Sequence, residues 1–87
     1  MRKGELPRLR PGQREALGKL NQGWWLSEAP SSKGPVYHLR SIAGGEMRLN
    51  GWIGRWLRRK ELVTRAEMGL LTYDGRRLAE AYGARWF

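Results

Sequence analysis

The sequence predicts one small α+β domain with the order helix, β-hairpin, basic helix, second hairpin and C-terminal helix. Its 87 residues, 40% of them hydrophobic and 29% charged, have the composition of a folded domain with a compact core. Three segments carry apolar residues at helical spacing, and the segments between them combine strand-forming residues with turn formers. Together these patterns favour a mixed fold over an all-helical one.

The first ten residues are predicted to form a basic arm, and the domain is predicted to span residues 11–87. Proline at positions 7 and 11 biases the preceding residue away from helix. The cations of the arm are Arg2, Lys3, Arg8 and Arg10. A helix over residues 11–22 then begins at Pro11, since proline is favoured at the first helical position, and stops before Gly23.

Residues 24–40 are predicted to form a β-hairpin around a turn rich in Pro, Ser and Gly. Alternation turns Tyr37 and Leu39 inward and His38 outward. A short helix over residues 39–43 is the alternative, and the glycines at 44 and 45 then break the chain. Trp24 and Trp25 are neighbours on a strand, so we expect them on opposite faces, with one exposed or at an interface.

The strongest periodic signal predicts a helix from Asn50 to Arg59. Its predicted core stripe is Leu49, Trp52, Ile53, Trp56 and Leu57. Asn50 is a favourable N-cap, and the last turn is basic, which complements the helix dipole. The pattern places Gly51 and Gly54 on the exposed side.

The C-terminal third is predicted to form a second hairpin and a closing helix. Residues 62–64 and 70–71 have strand composition, and Thr72 is the predicted helix cap. The predicted packed face of that helix is Leu71, Gly75, Leu78, Ala79 and Tyr82. Gly83 ends the helix, after which Trp86 and Phe87 either fold back on the core or meet a second subunit.

The charge is positive and uneven along the chain. Seventeen Lys and Arg against eight Asp and Glu give +9, and residues 31–60 alone carry +6. Thirteen of the cations are Arg, whose planar fork suits phosphate and guanine edges. The middle third is therefore expected to face a polyanion, the alternative being a solvated basic surface that serves solubility.

The sequence argues against enzymatic, metal and membrane functions. It has no Cys, and His38 is its single histidine, so we expect no metal and no cofactor. Its carboxylates are scattered, and the glycines at 44 and 45 lack the continuation of a phosphate-binding loop, so we expect no catalytic residues. We find no signal peptide and no apolar run that could span a membrane, which predicts a cytoplasmic protein.

Three stretches resemble the winged helix-turn-helix family, and more narrowly its small phage-type or MarR-like members. They are PGQREAL at 11–17, LNGWIGRWLRRKELV at 49–63 and LTYDGRRLA at 71–79. Two departures stand out. Lys60 and Glu61 replace the usual Arg-Gly before the wing, and strands are predicted where a full helix-turn-helix has its second helix.

The resemblance implies a DNA-binding protein, with the helix Asn50–Arg59 as the recognition helix in the major groove of double-stranded DNA. The implied nucleic-acid-binding residues are Arg48, Asn50, Gly51, Arg55, Arg58, Arg59, Lys60 and Arg65. Within this set, Arg55 is the predicted base reader, while Arg58 and Arg59 contact phosphate. The arm cations Arg2, Lys3, Arg8 and Arg10 would reach flanking phosphates. The implied role is a small transcriptional regulator.

The alternative function is a phage-type module that binds an acidic protein partner and modulates a host nucleic-acid-handling machine. Its interface would use the tryptophans, which are common binding hot spots together with Arg. The predicted interface residues are Trp24, Trp25, Trp86 and Phe87. Their apolar surface also predicts a homodimer, because so small a domain has little core in which to hide them.

Overall fold

The computed structural model describes residues 8–83, which form a small α+β domain of three helices and a three-stranded antiparallel sheet. Arg2 and Lys3 of the predicted arm, and the Trp86–Phe87 tail, lie outside the described residues. The elements in chain order are α1 (Pro11–Asn21), β1 (Trp25–Ala29), β2 (Val36–Arg40), β3 (Glu46–Leu49), α2 (Gly51–Arg59) and α3 (Tyr73–Gly83). No helix within residues 8–83 has the length and apolar character needed to cross a membrane.

Helix α1 begins and ends as its sequence predicts. Pro11 occupies the first helical position, and the Arg10 backbone N–H donates to Gln13 Oε1 at 2.8 Å. After the C-cap Gln22 the chain reverses at Gly23, whose φ of +100° lies in the left-handed region. The amides of Gly23 and Trp24 donate to the carbonyls of Leu20 and Lys19, each at 3.2 Å, which closes a Schellman motif.

The sheet has the order β1-β2-β3, so the predicted hairpin is confirmed and a third strand is added. Tyr37 and Leu39 are buried, as the alternation predicts. The helix considered for residues 39–43 is wrong, because 39 and 40 continue β2 and residues 42–44 form a turn. Strand β3 was not predicted, because only two of its four residues are apolar. Its hydrogen bonds to β2 hold it in place.

The core lies between the inner face of the sheet and the three helices. Helix α1 packs against α3 and β2, and α2 packs against β2. The fully enclosed side chains at its centre are Leu17, Leu26, Leu39 and Leu57. The predicted packed face of α3 is confirmed, since Gly75, Leu78, Ala79 and Tyr82 are buried.

Helix α2 has the predicted bounds, but its orientation about its axis differs from the prediction. Ile53, Gly54 and Leu57 are its buried residues, whereas Trp52 is 40% exposed and Trp56 is half-buried. The inward placement of Trp52 and the exposed placement of Gly54 were therefore wrong. A methyl group at Gly54 would overlap the ring of Tyr37, so this glycine lets α2 approach β2 closely. Helix α2 therefore faces the sheet with Gly54 and not with the indole ring of Trp52.

The segment between α2 and α3 is a hydrogen-bonded loop with isolated bridges in place of two full strands. Val63 pairs with Leu71, and Leu26 of β1 pairs with Gly69. Thr72 caps α3 as predicted, since its Oγ1 accepts the Gly75 N–H at 3.1 Å. The same hydroxyl donates to the Glu61 carbonyl at 2.8 Å. These bonds fix the loop against the ends of both helices.

Helix α2 ends with the same Schellman motif as α1, but without a glycine. The amides of Glu61 and Leu62 donate to the carbonyls of Arg58 and Leu57, at 3.1 and 3.0 Å. Glu61 takes φ = +54°, the only positive φ of a non-glycine residue among residues 8–83. A left-handed conformation costs an L-residue roughly 1–2 kcal/mol. The loop after α2 is therefore strained at Glu61.

Candidate functional site

Two clefts lie side by side along the exposed face of α2 and carry most of the predicted nucleic-acid-binding residues. The hairpin groove, about 430 Å³, is lined by residues 31–37 together with Arg48, Leu49, Gly51 and Arg55. The loop cleft, about 530 Å³, is lined by Glu28, Tyr37, Arg55, Arg58, Arg59 and Arg65. Tyr37 and Arg55 line both, so the two clefts form one trough with Arg55 at its middle.

The hairpin groove carries positive charge with no counter-charge of its own. Its lining includes Lys33, Arg48 and Arg55 and no carboxylate. All three side chains are exposed, and none takes part in an ion pair of the described residues. Their charges are therefore available to an external anion. Arg48 and Arg55 were predicted for the site, whereas Lys33 was not.

The loop cleft is different, because part of its charge is used within the protein. Nε of Arg58 lies 3.4 Å from Oε1 of Glu28, and its Nη1 donates to the Thr64 carbonyl at 2.9 Å. The Arg58 side chain is only 24% exposed. Its Nε is buried without a hydrogen bond, so the contact with Glu28 is an ion pair of imperfect geometry. The prediction that Arg58 projects freely outward is wrong, because its side chain joins β1 to the loop after α2, and its contact with a phosphate stays a prediction.

The remaining cations at this end of α2 are exposed. Arg65 pairs with Glu61 at 3.8 Å, a contact between two largely solvated side chains that stabilises little. Arg59 lines the loop cleft, and Lys60 follows as the exposed C-cap of the helix. Of these three predicted residues, Arg59 and Arg65 line the loop cleft, whereas Lys60 lines neither cleft. The ion pair of Arg65 is weak enough to open when a stronger anion is present.

Tyr37 forms the floor on which the two clefts meet. Its ring is buried against α2, where Gly54 leaves room for it. Burial raises the pKa of the Tyr37 hydroxyl, and the neighbouring Glu28 carboxylate raises it further, while Arg58 and Arg55 act in the opposite direction. Tyr37 is therefore a neutral, fixed surface, and the ionic character of the trough comes from the residues around it.

The exposed face of α2 combines arginine with an indole ring. At 3.6 residues per turn, Trp52 lies about 20° from Arg59 and about 60° from Arg55 around the helix axis. Each of the three residues is exposed. At the start of the helix Asn50 is exposed but makes no side-chain capping bond, and Gly51 is half-buried at the edge of the hairpin groove. A partner that meets α2 here would touch both cations and an aromatic surface.

The other predicted interface residues lie away from the trough or outside the described residues. Trp24 precedes β1, packs against the core and lies under the Lys19 ammonium group, 4.6 Å from its ring centre. Trp25 is half-buried like Trp24, so neither member of the pair is fully exposed, and the interface alternative stays a prediction. Of the arm, Arg8 and Arg10 are described and exposed. Homodimerisation stays a prediction, with less support from this tryptophan pair.

Sequence reasoning missed Glu28, Lys33 and Tyr37. All three belong to the β1–β2 hairpin, whose turn follows Glu28 and precedes Tyr37. The +6 charge of residues 31–60 includes Lys33, and it was the one signal that could have pointed to it. Nothing in a local pattern places this turn beside a helix some 20 residues later.

Among residues 8–83, no three His, Cys, Asp or Glu side chains gather as a metal site would require. In comparisons with known proteins, no family model, no curated protein and no solved structure matches this chain. The function of the trough along α2 must therefore be inferred from the geometry and charge of its own residues.

Proposed function

We propose that this protein binds double-stranded DNA and acts as a small transcriptional regulator, with the exposed face of α2 in the major groove. The observation that carries the proposal is the trough along α2, with Arg55 at its middle and cations on both sides. Arginine at such a position can donate two hydrogen bonds to guanine O6 and N7. The flanking cations would neutralise the phosphates on either side.

The dimensions of α2 allow this docking. An α-helix with its side chains is about 10–12 Å across, and the major groove is about 12 Å wide. Such a helix would present Arg55 centrally and Arg59 toward one backbone.

We propose in addition that the domain is a winged helix-turn-helix domain. In the winged helix-turn-helix family, a recognition helix is followed by a wing and a closing helix, which is the order of α2, the loop at 60–72 and α3. The positive φ of Glu61 supports this reading, because it falls at the position where the family pattern has Gly. The region before α2 is a three-stranded sheet, so the first half of the domain departs from that pattern.

The test is duplex binding measured by fluorescence anisotropy across a range of salt, with a duplex selected from a random pool and an unrelated one. With four or five phosphates neutralised, the log–log salt slope should be about −4, since each contributes about −0.9. Arg55→Ala should weaken binding to the selected duplex by about 5- to 150-fold, the loss of about 1–3 kcal/mol, and reduce the preference for it.

Arg76→Ala is the matched control, because Arg76 is exposed on α3 and lines neither cleft. It removes the same charge from the protein and should bind nearly as the parent does. The proposal fails if the parent does not bind duplexes at low salt, or if Arg55→Ala and Arg76→Ala weaken binding equally.

A protein partner is the second candidate, and the exposure of Trp52 beside Arg55 and Arg59 favours it. Trp and Arg dominate many interface hot spots. In that role the basic face would meet an acidic surface of a host nucleic-acid-handling machine. This function would be supported if the parent does not bind duplex DNA but co-elutes with an acidic protein, and if Trp52→Ala abolishes that complex.

A further inference from the structure

The turn between β1 and β2 brings Lys33 beside the first turn of α2, which no sequence pattern indicates. Together with Arg48 of β3 and Arg55 of α2 it forms one wall of the hairpin groove. These three cations come from three separate elements and share a groove without a carboxylate. Like charges gathered in this way repel each other, so the groove is more stable when it holds an anion.

Hydrogen bonds within this turn hold its backbone in one conformation, so Lys33 projects from a fixed position. The Gly34 amide donates to the Ser31 carbonyl at 3.1 Å, and the Lys33 amide donates to Ser31 Oγ at 3.3 Å. Ser31 Oγ in turn donates to the Gly34 carbonyl. Gly34 has φ = +103°, which a side chain would make costly. Binding through this turn therefore requires little further ordering of the backbone.

The position of the groove relative to α2 indicates what kind of anion it takes. Its lining includes Arg48 of β3 and Gly51 at the start of α2, and it shares Arg55 with the loop cleft. When a helix lies in the major groove, the elements beside it meet the sugar–phosphate backbone at the groove edge. In such a docking Lys33 and Arg48 would lie at that edge, and Arg55 would face the bases.

We propose that the hairpin groove binds the phosphodiester backbone of one DNA strand, with Lys33 and Arg48 as its phosphate contacts. This inference rests on the proposed DNA binding and adds a second binding element to it. Ser32 lines the same groove, and its hydroxyl is suited to donate to a phosphate oxygen. The turn thereby fixes the register of α2 on the duplex without reading sequence.

The experiment compares Lys33→Ala, Arg48→Ala and the double variant with the parent by anisotropy across salt. The selected and the unrelated duplex are used in parallel. Each single variant should make the salt slope shallower by about 0.9, and the double variant by about 1.8. The loss of affinity should be the same for both duplexes. Lys33→Arg should retain the slope of the parent because it keeps the charge.

Arg76→Ala again controls for net charge, and thermal melting of each variant controls for folding. If the parent binds and Arg55→Ala loses sequence preference while Lys33→Ala and Arg48→Ala keep the parent slope, the inference is wrong and DNA binding stands. A loss confined to the selected duplex would also overturn the backbone assignment. If poly-L-glutamate displaces the duplex at equal charge concentration, the groove accepts any polyanion and its assignment to a phosphodiester backbone is wrong. If the parent binds no duplex, both proposals fail.

Discussion

The two clefts beside α2 contain the same kinds of side chain but use them differently. In the hairpin groove, Lys33, Arg48 and Arg55 have no ionic partner among the described residues. In the loop cleft, Arg58 is held by Glu28 and by the Thr64 carbonyl, and Arg65 pairs with Glu61. Arg55 and Arg58 are one turn apart on the same helix. The Arg55 side chain has no ionic partner among the described residues, whereas the Arg58 side chain is bound to Glu28 and Thr64.

This difference shows that an arginine's role depends on what stands opposite it. A half-buried guanidinium beside a carboxylate stabilises the domain, and its removal leaves Glu28 without its partner. An exposed guanidinium without a partner contributes little to stability and keeps its charge for a ligand. Variants in the two clefts should accordingly separate loss of stability from loss of binding.

The largest expected effect comes from Gly54→Ala, which disturbs both clefts at once because Tyr37 lines both. A methyl group here overlaps the Tyr37 ring, and overpacking of this kind costs about 1–3 kcal/mol. We expect the upper part of that range in urea unfolding, even though Ala is the better helix former.

Gly51→Ala is the matched control, on the same helix. A methyl group there meets only the mobile end of Arg55, with 3.1 Å to the nearest guanidinium nitrogen. Its free energy of unfolding should equal or exceed that of the parent. Equal stability of the two variants would show that α2 does not press against Tyr37 through Gly54.

The next effect separates the two arginines directly. Arg58→Ala should lower the free energy of unfolding by about 1–2 kcal/mol, because it removes a charged hydrogen bond to Thr64 and the ion pair with Glu28. Arg55→Ala should change it by less than about 0.5 kcal/mol, as surface substitutions usually do. Urea unfolding of both variants measures the difference, and equal destabilisation would contradict the contrast between the clefts.

The smallest expected effect on stability comes from Glu61→Gly, which relieves the backbone strain in the loop after α2. Relief of the left-handed conformation, offset by the entropy of Gly in the unfolded chain, should stabilise the domain by about 0.5 kcal/mol. It also frees Arg65 from its partner and should strengthen duplex binding at low salt. Gly23→Ala, at the matched position of α1, should destabilise by about 1 kcal/mol. A destabilised Glu61→Gly variant would show that the ion pair outweighs the strain.

Local signals explain which elements could be predicted. Helix α1 was found because Pro11 and Gly23 mark its ends, and α3 because Thr72 caps it. Strand β3 was missed because a strand of four residues with two apolar side chains has no distinctive pattern. Its partner β2 supplies the hydrogen bonds that stabilise it, and those depend on the whole sheet.

The candidate site was also predicted only in part, because local signals indicate its cations but not what lies around them. Arg48, Arg55, Arg59 and Lys60 are exposed, as the basic middle third indicated, and Arg65 after it is also exposed. Periodicity placed the apolar stripe of α2 but not its rotation, because Gly, Trp and Ile can each occupy the inner side. The ring of Tyr37 decided that choice, since it fills the space over Gly54 and leaves Trp52 exposed.

By itself the sequence determined the α+β class, the helix bounds and the excess of positive charge, because these depend on residue type and on neighbours within a few positions. The tertiary structure alone decided which cations are free. Glu28 and Arg58 are 30 positions apart and meet only because the sheet and α2 pack together, and the same packing places Lys33 and Arg55 in one groove. Ionic partnership is a property of distance in space, which a local pattern does not contain.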